Sequence, residues 1–162
     1  MQKTLALVDD PLFCEHLAPA GHPERPERLH AARAAIARAD IDLQRLDLAT
    51  RYATSEELAR VHAEAYLTRL GQAAGQSGYF DEDTFYSAQS VAAARAGAGA
   101  ALVVTDALLD RRADYGLALT AYLPNLAYVE RVDAATRRRL GDRKSTRLNS
   151  SHSLPSRMPS SA

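Results

Sequence analysis

The chain has no tryptophan, a single cysteine and only two lysines among its 20 basic residues. One cysteine, Cys14, excludes an internal disulfide and with it the stapled class of small secreted domains. A reducing, cytoplasmic setting is the expectation that follows. No secretory signal is expected either, because Asp9 and Asp10 interrupt the apolar run Leu5–Val8 almost at once. The longest apolar stretch, Ala96 to Val104, is too short to cross a bilayer and is mostly alanine and glycine, so no membrane partner is expected. An excess of one charge is also missing. With 20 basic and 20 acidic side chains there is no broad electrostatic footprint for nucleic acid.

What is present fits an ordinary globular chain: 162 residues, 46% apolar and 25% charged. The neutral total hides a seam. Residues 1–141 hold 16 basic and 19 acidic side chains, whereas residues 142–162 hold four basic and one acidic. Serine rises across the same point, from four in the first 141 residues to seven in the last 21. Alanine falls from 31 to one. High alanine and the preference for arginine point to a GC-rich bacterial gene.

The segment 142–162 lacks apolar periodicity and by composition alone reads as a disordered tail. It also resembles the conceptual translation of a sequencing-library adapter, which makes it non-native. Its Ser/Arg content offers the alternative of a nucleic-acid arm. The working division is therefore 1–120 as a recognisable domain portion, 121–141 as a divergent or mis-assembled segment, and 142–162 as a foreign tail.

Before the seam, Thr4–Val8 reads as a buried strand bounded by Asp9, Asp10 and Pro11. A loop with four prolines follows, and Pro26 is suited to the first turn of a helix whose apolar face is Leu29, Ala32, Ile36 and Ala39. Leu43, Leu46 and Leu48 lie in an extended stretch that is a candidate short strand. Thr54-Ser-Glu-Glu57 is a capping box, in which hydroxyl and carboxylate each satisfy a free backbone N–H. Short helices then end near Gly71 or Gly75, the stretch from Gly75 to Asp83 is a loop, and a long helix spans about Ser87 to Asp110. Tyr115–Thr120 is a second buried strand. This order is that of an α/β fold with a parallel sheet, although two strands alone are too few to stabilise one.

Several constellations carry chemistry. In Gly21-His-Pro-Glu-Arg-Pro-Glu-Arg28, two prolines stiffen a turn that Glu24, Arg25, Glu27 and Arg28 can close by charge pairing. Cys14, His16 and His22 are potential soft metal ligands, but at spacings that match no standard zinc pattern. His62 precedes Tyr66 by one helical turn and reads as a packed pair. Asp81-Glu-Asp83 groups carboxylates, and the calcium-loop pattern fails because Tyr86 stands where glycine is required. Gly97-Ala-Gly99 lacks the third glycine of a dinucleotide fingerprint and reads instead as close helix packing.

Taken together, Gly21–Leu29, Leu58–Leu67, Phe80–Ser87, the helix Ala92–Leu109 and the strand Tyr115–Thr120 resemble the N-terminal part of the histone deacetylase superfamily. The likeness is strongest to its bacterial acetoin-utilisation and acetylpolyamine amidohydrolase-like members. It implies a three-layer α/β/α, arginase/deacetylase-like fold with a parallel sheet, incomplete here. It also implies hydrolysis of an acetyl-amide by a zinc-bound water, on acetylated lysine or polyamine. By this resemblance Arg28 matches an arginine beside an internal channel, where a buried guanidinium guides released acetate. Asp81 or Asp83 matches an acid at the rim of the substrate tunnel. His22 and Pro23 are structural.

The departures weigh as much. After its strand the family continues with an arginine, two prolines, a glycine and paired histidines, whereas this chain has Ala121-Tyr-Leu-Pro-Asn-Leu-Ala-Tyr128. The proton-transfer histidines, the aspartate–histidine–aspartate zinc ligands and the oxyanion tyrosine have no counterpart. The expectation is an N-terminal fragment with no catalytic residues and no metal site, inactive as written. The alternatives are a non-enzymatic α-helical binding module, with Arg131 and Arg137–Arg139 as its basic contacts, and a pseudoenzyme.

Overall fold

The computed structural model describes residues 2–82 and 84–120 and the backbone of Val129–Glu130. The segments 121–128 and 131–162, which include the proposed foreign tail and its alternative basic contacts, lie outside the described residues, as does Asp83.

Strand β1 (Lys3–Asp9) leads through a 3-10 turn (Pro11–Cys14) and a proline-rich loop into helix α1 (Glu27–Arg38). Strand β2 (Leu43–Asp47), helices α2 (Ser55–Ala59) and α3 (Glu64–Gln72), and a hairpin of β3 (Gly78–Tyr79) and β4 (Phe85–Tyr86) follow. Helix α4 (Ser90–Leu109), β5 (Tyr115–Leu119) and β6 (Val129–Glu130) complete the described chain.

The main sheet has the order β2-β1-β5-β6. β1 runs parallel to β2, from Lys3 opposite Leu43 to Leu7 opposite Asp47, and parallel to β5, from Leu5 opposite Tyr115 to Asp9 opposite Leu119. β6 adds an antiparallel edge. The candidate short strand around Leu43 forms as β2, and β6, which lies outside the sequence expectation, joins β5, so the sheet exceeds the two buried strands read from apolar runs. An inner parallel strand is covered on both faces, and Ala6, Leu7 and Val8 of β1 are accordingly buried in succession.

α4 packs on β5 and β1. Small residues make this close: a Cβ on Gly116 would overlap the Val104 side chain, and the same face continues through Ala118 and its register partner Val8. α4 is long and apolar enough by length and composition to cross a bilayer, in contrast to the short run read from the sequence. Its apolarity goes into the core, where Ala96, Ala100, Val104, Ala107 and Leu108 are buried with Phe13 and Leu29. The expected close packing at the Gly97–Gly99 pair is found at Gly99, but against a loop rather than the sheet. A Cβ there would overlap the Arg51 carbonyl.

The capping box forms as the sequence predicts: Glu57 N donates to Thr54 Oγ1 at 3.2 Å and Thr54 N donates to Glu57 Oε2 at 2.8 Å. Arg51 clamps the same carboxylate at 2.7 and 2.8 Å, and this hydrogen bonding holds Glu57 down at a pKa of about 2. The expected 75–83 loop carries β3, because Gly78 and Tyr79 pair with Tyr86 and Phe85.

Candidate functional site

In open α/β sheets, ligand sites gather beyond the carboxyl ends of parallel strands. At that end of β1, Asp10 caps the 3-10 turn by accepting from Leu12 N at 2.9 Å. Asp9 receives a forked ion pair from Arg33 of α1, with Nε at 2.8 Å and Nη2 at 2.7 Å. Arg33 Nη1 also donates to Cys14 Sγ at 3.1 Å, and His30 Nε2 lies 3.8 Å from the same sulfur. Hydrogen bonding to Asp9 raises the Arg33 pKa further above its ordinary value, so the guanidinium is a permanent cation between carboxylate and thiol. Asp9, Cys14, His30 and Arg33 line an open cleft of about 460 Å³.

The candidate metal trio does not converge. Cys14 turns to Arg33 and His30, His22 Nδ1 accepts from Glu24 N at 3.1 Å, and His16 turns inward. Among the described residues no three His, Cys, Asp or Glu side chains are grouped to hold a metal. Asp9 and Cys14 both bond the Arg33 guanidinium, which stands between them. These residues do not fit a zinc ion.

His16 forms the second cluster. Its Nδ1 lies 2.6 Å from Ser90 Oγ, and its Nε2 lies 3.5 Å from Glu24 Oε2. Ser90 Oγ also accepts from Ser87 N at 2.7 Å, and Ser87 Oγ accepts from Leu17 N at 3.1 Å. Burial lowers the pKa of His16 despite the opposing attraction of Glu24. Serine, imidazole and carboxylate are connected here as in an acyl-transfer triad. However, His16 and Ser90 are each 1% exposed, which leaves no room for a substrate carbonyl at Oγ. The cluster joins the β1–α1 loop to the start of α4.

This geometry corrects the charge-paired turn expected of Gly21–Arg28. Glu24 turns inward to the imidazole, and among the described residues Arg25, Glu27 and Arg28 make no ion pair. Arg28 is exposed on the first turn of α1 rather than buried. An internal channel around it would need elements beyond the described residues. The structural reading of His22 agrees with its hydrogen bond to the Glu24 backbone.

The rim candidate sits on the β3–β4 hairpin. Asp81 is exposed, and its Oδ1 accepts from Thr84 N at 2.8 Å while Phe80 N donates to Thr84 O at 2.9 Å. The turn is thus closed by the candidate acid itself. Arg69 of α3 reaches this hairpin, with Nη2 donating to Phe80 O at 2.5 Å. His62 and Tyr66 pack with ring centroids 5.1 Å apart, as their spacing predicts. Sequence reasoning missed the Asp9–Arg33 pair, the His16–Ser90 bond and Arg69, each of which joins residues remote in the chain.

Comparison with known proteins places these features in a family. The model of the histone deacetylase domain matches residues 22–124, more than half of the chain. Human polyamine deacetylase HDAC10 is 38% identical over 127 residues, covering 74% of this chain and 18% of the human protein. The crystal structure of the HDA15 HD domain superposes with a TM-score of 0.63 at 28% identity, covering 72% of this chain and 35% of that one. The chain therefore spans only a minor part of both relatives. Its sheet and helices are part of the α/β deacetylase fold, and the chain belongs to the histone deacetylase family.

Proposed function

We propose that residues 1–120 are the N-terminal part of a bacterial, cytoplasmic amidohydrolase that removes acetyl groups from acetylated amines, with acetyl-lysine or acetylpolyamine as the substrate class. We further propose that the 162-residue chain does not perform this reaction. The observation that carries the first statement is the family match over 22–124; the second rests on Ala121–Tyr128 standing where the family resemblance expects a proline–glycine–histidine turn. The human relative's name supports acetylated polyamines as one substrate type.

In this reading the described residues contribute scaffold and rim rather than proton transfer. β1 and β5 set the sheet, the His16 cluster ties the β1–α1 loop to α4, and Asp81 stands exposed at a hairpin turn where it can accept a substrate N–H. Zinc is the cofactor of the larger enzyme in this proposal, held by residues outside 2–120. Residues 121–141 and 142–162 are the mis-assembled and foreign segments. Resequencing codons 118–145 from genomic DNA tests this. The expected result is a frame that continues into a proline–glycine–histidine turn in place of Ala121–Tyr128. A genomic frame identical to the present one overturns the proposal and leaves the pseudoenzyme.

A further inference from the structure

We propose that Arg69 is a positioning residue for the rim hairpin, fixing through Phe80 the turn that carries Asp81. The role in substrate binding rests on the reading of Asp81 as a rim acid; the mechanical link does not.

Arg69 lies in the last turn of α3, where the helix dipole favours a cation. It holds Phe80 in two ways. Its Nη2 donates to the Phe80 carbonyl at 2.5 Å, and its guanidinium carbon stands 5.0 Å from the centroid of the Phe80 ring. The Phe80 ring also packs on Tyr86, with centroids 4.6 Å apart and planes 33° apart. Tyr86 in turn lies over Gly78, where a Cβ would come 2.8 Å from the phenol oxygen. A side chain at Gly78 would push Tyr86 off its place, so the glycine is part of the same assembly.

From Phe80 the constraint passes to Asp81 in one residue. Phe80 N and Thr84 O close the hairpin at 2.9 Å, and Thr84 N and Asp81 Oδ1 close it again at 2.8 Å. The carboxylate is therefore oriented by a turn whose first residue is held from the α3 side. α3 itself has no buried residue, so an exposed arginine at its end has little to do in the core. Cation–ring attraction and a charge-assisted hydrogen bond at one residue account for its placement.

The test uses the whole 162-residue chain and compares wild type with Arg69→Met, Arg69→Lys and Phe80→Leu. The first readout is amide hydrogen exchange. The second is the pH titration of the Thr84 amide resonance, which reports ionisation of the Asp81 carboxylate bonded to it. Arg69→Met is expected to speed exchange at Phe80 and Thr84 about tenfold and to weaken the response of Thr84 to pH. Exchange in β1 and β5 stays at the wild-type rate. Arg69→Lys, which keeps the cation and loses the fork, falls between. Phe80→Leu, which removes the ring and keeps the carbonyl, reproduces the loosening should Arg69→Met fold poorly. An unchanged hairpin in Arg69→Met, or loosening spread equally through β1 and β5, overturns the proposal. Neither readout involves hydrolysis, so a negative deacetylase assay leaves this result standing, and an unchanged hairpin leaves the family assignment standing.

Discussion

His16 Nδ1 and Ser90 Oγ lie 2.6 Å apart although 74 residues separate them in the chain. The contact is buried at both ends, and it carries the loop after β1 onto the first residue of α4. It makes the fold sensitive to acid. Burial lowers the folded pKa of His16 below its ordinary 6.5, so the unfolded chain takes up a proton first as pH falls. The His16 contribution is complete above pH 6.5 and is lost as pH falls from there through the folded value. Urea melts between pH 8 and pH 5 should show stability declining on the acid side by at most about 1.4 kcal/mol per pH unit from this group. Glu24→Gln, which removes the attraction that favours the imidazolium, should extend that decline to lower pH. A His16→Gln variant that keeps the same slope between pH 6.5 and pH 5 contradicts the assignment.

The capping box at α2 gives a second prediction. Thr54→Ala removes the acceptor for Glu57 N and should cost about 1 kcal/mol in a denaturant melt. Glu57 acts on the same, acid side of neutrality as His16 but at lower pH. Its carboxyl is held at about 2 against an ordinary 4.5, so its contribution is full above pH 4.5 and fades as pH drops towards 2. Thr54→Ser, which keeps the hydroxyl, should retain most of the stability.

Two glycines in α4 should respond in opposite ways to the same substitution. At Gly97 an added Cβ meets Thr120 Cγ2 at 3.4 Å, an ordinary contact, so Gly97→Ala should gain up to about 1 kcal/mol of helix propensity. At Gly99 the Cβ would overlap the Arg51 carbonyl and come close to Ala53 N. Gly99→Ala should therefore destabilise by about 1–3 kcal/mol through overpacking, and loosen the Arg51–Ala53 loop in hydrogen exchange. Equal effects at the two positions would show that the helix–loop approach is not as close as described.

These relationships explain which parts were legible from residues alone. β1 and β5 were, because buried parallel strands read as continuous apolar runs, and so was the capping box, whose partners are three residues apart. β2 was faint because its half-buried residues are only Leu43 and Leu46, which are three apart and break the two-residue alternation of a strand. The β3–β4 hairpin was not legible, since two-residue strands are too short for any alternation. Asp81 was legible as part of a carboxylate cluster but its rim role came only from the resemblance, and nothing local announces Arg69, 11 residues upstream of its Phe80 partner. Arg28 was placed correctly at the helix start, but burial of its side chain depends on neighbours that sequence spacing does not specify. Glu24 was misassigned to a surface turn because its partner is His16, eight residues earlier and turned into the core.

The chain has part of the deacetylase-family scaffold, and the central proposal is that it lacks the catalytic centre. Its most direct test is to purify the 162-residue protein with zinc supplied, measure bound zinc per chain, and assay an acetyl-lysine peptide and an acetylated polyamine. The account predicts substoichiometric zinc and no acetate release above the protein-free control. One zinc per chain with acetate release that a chelator abolishes would contradict it.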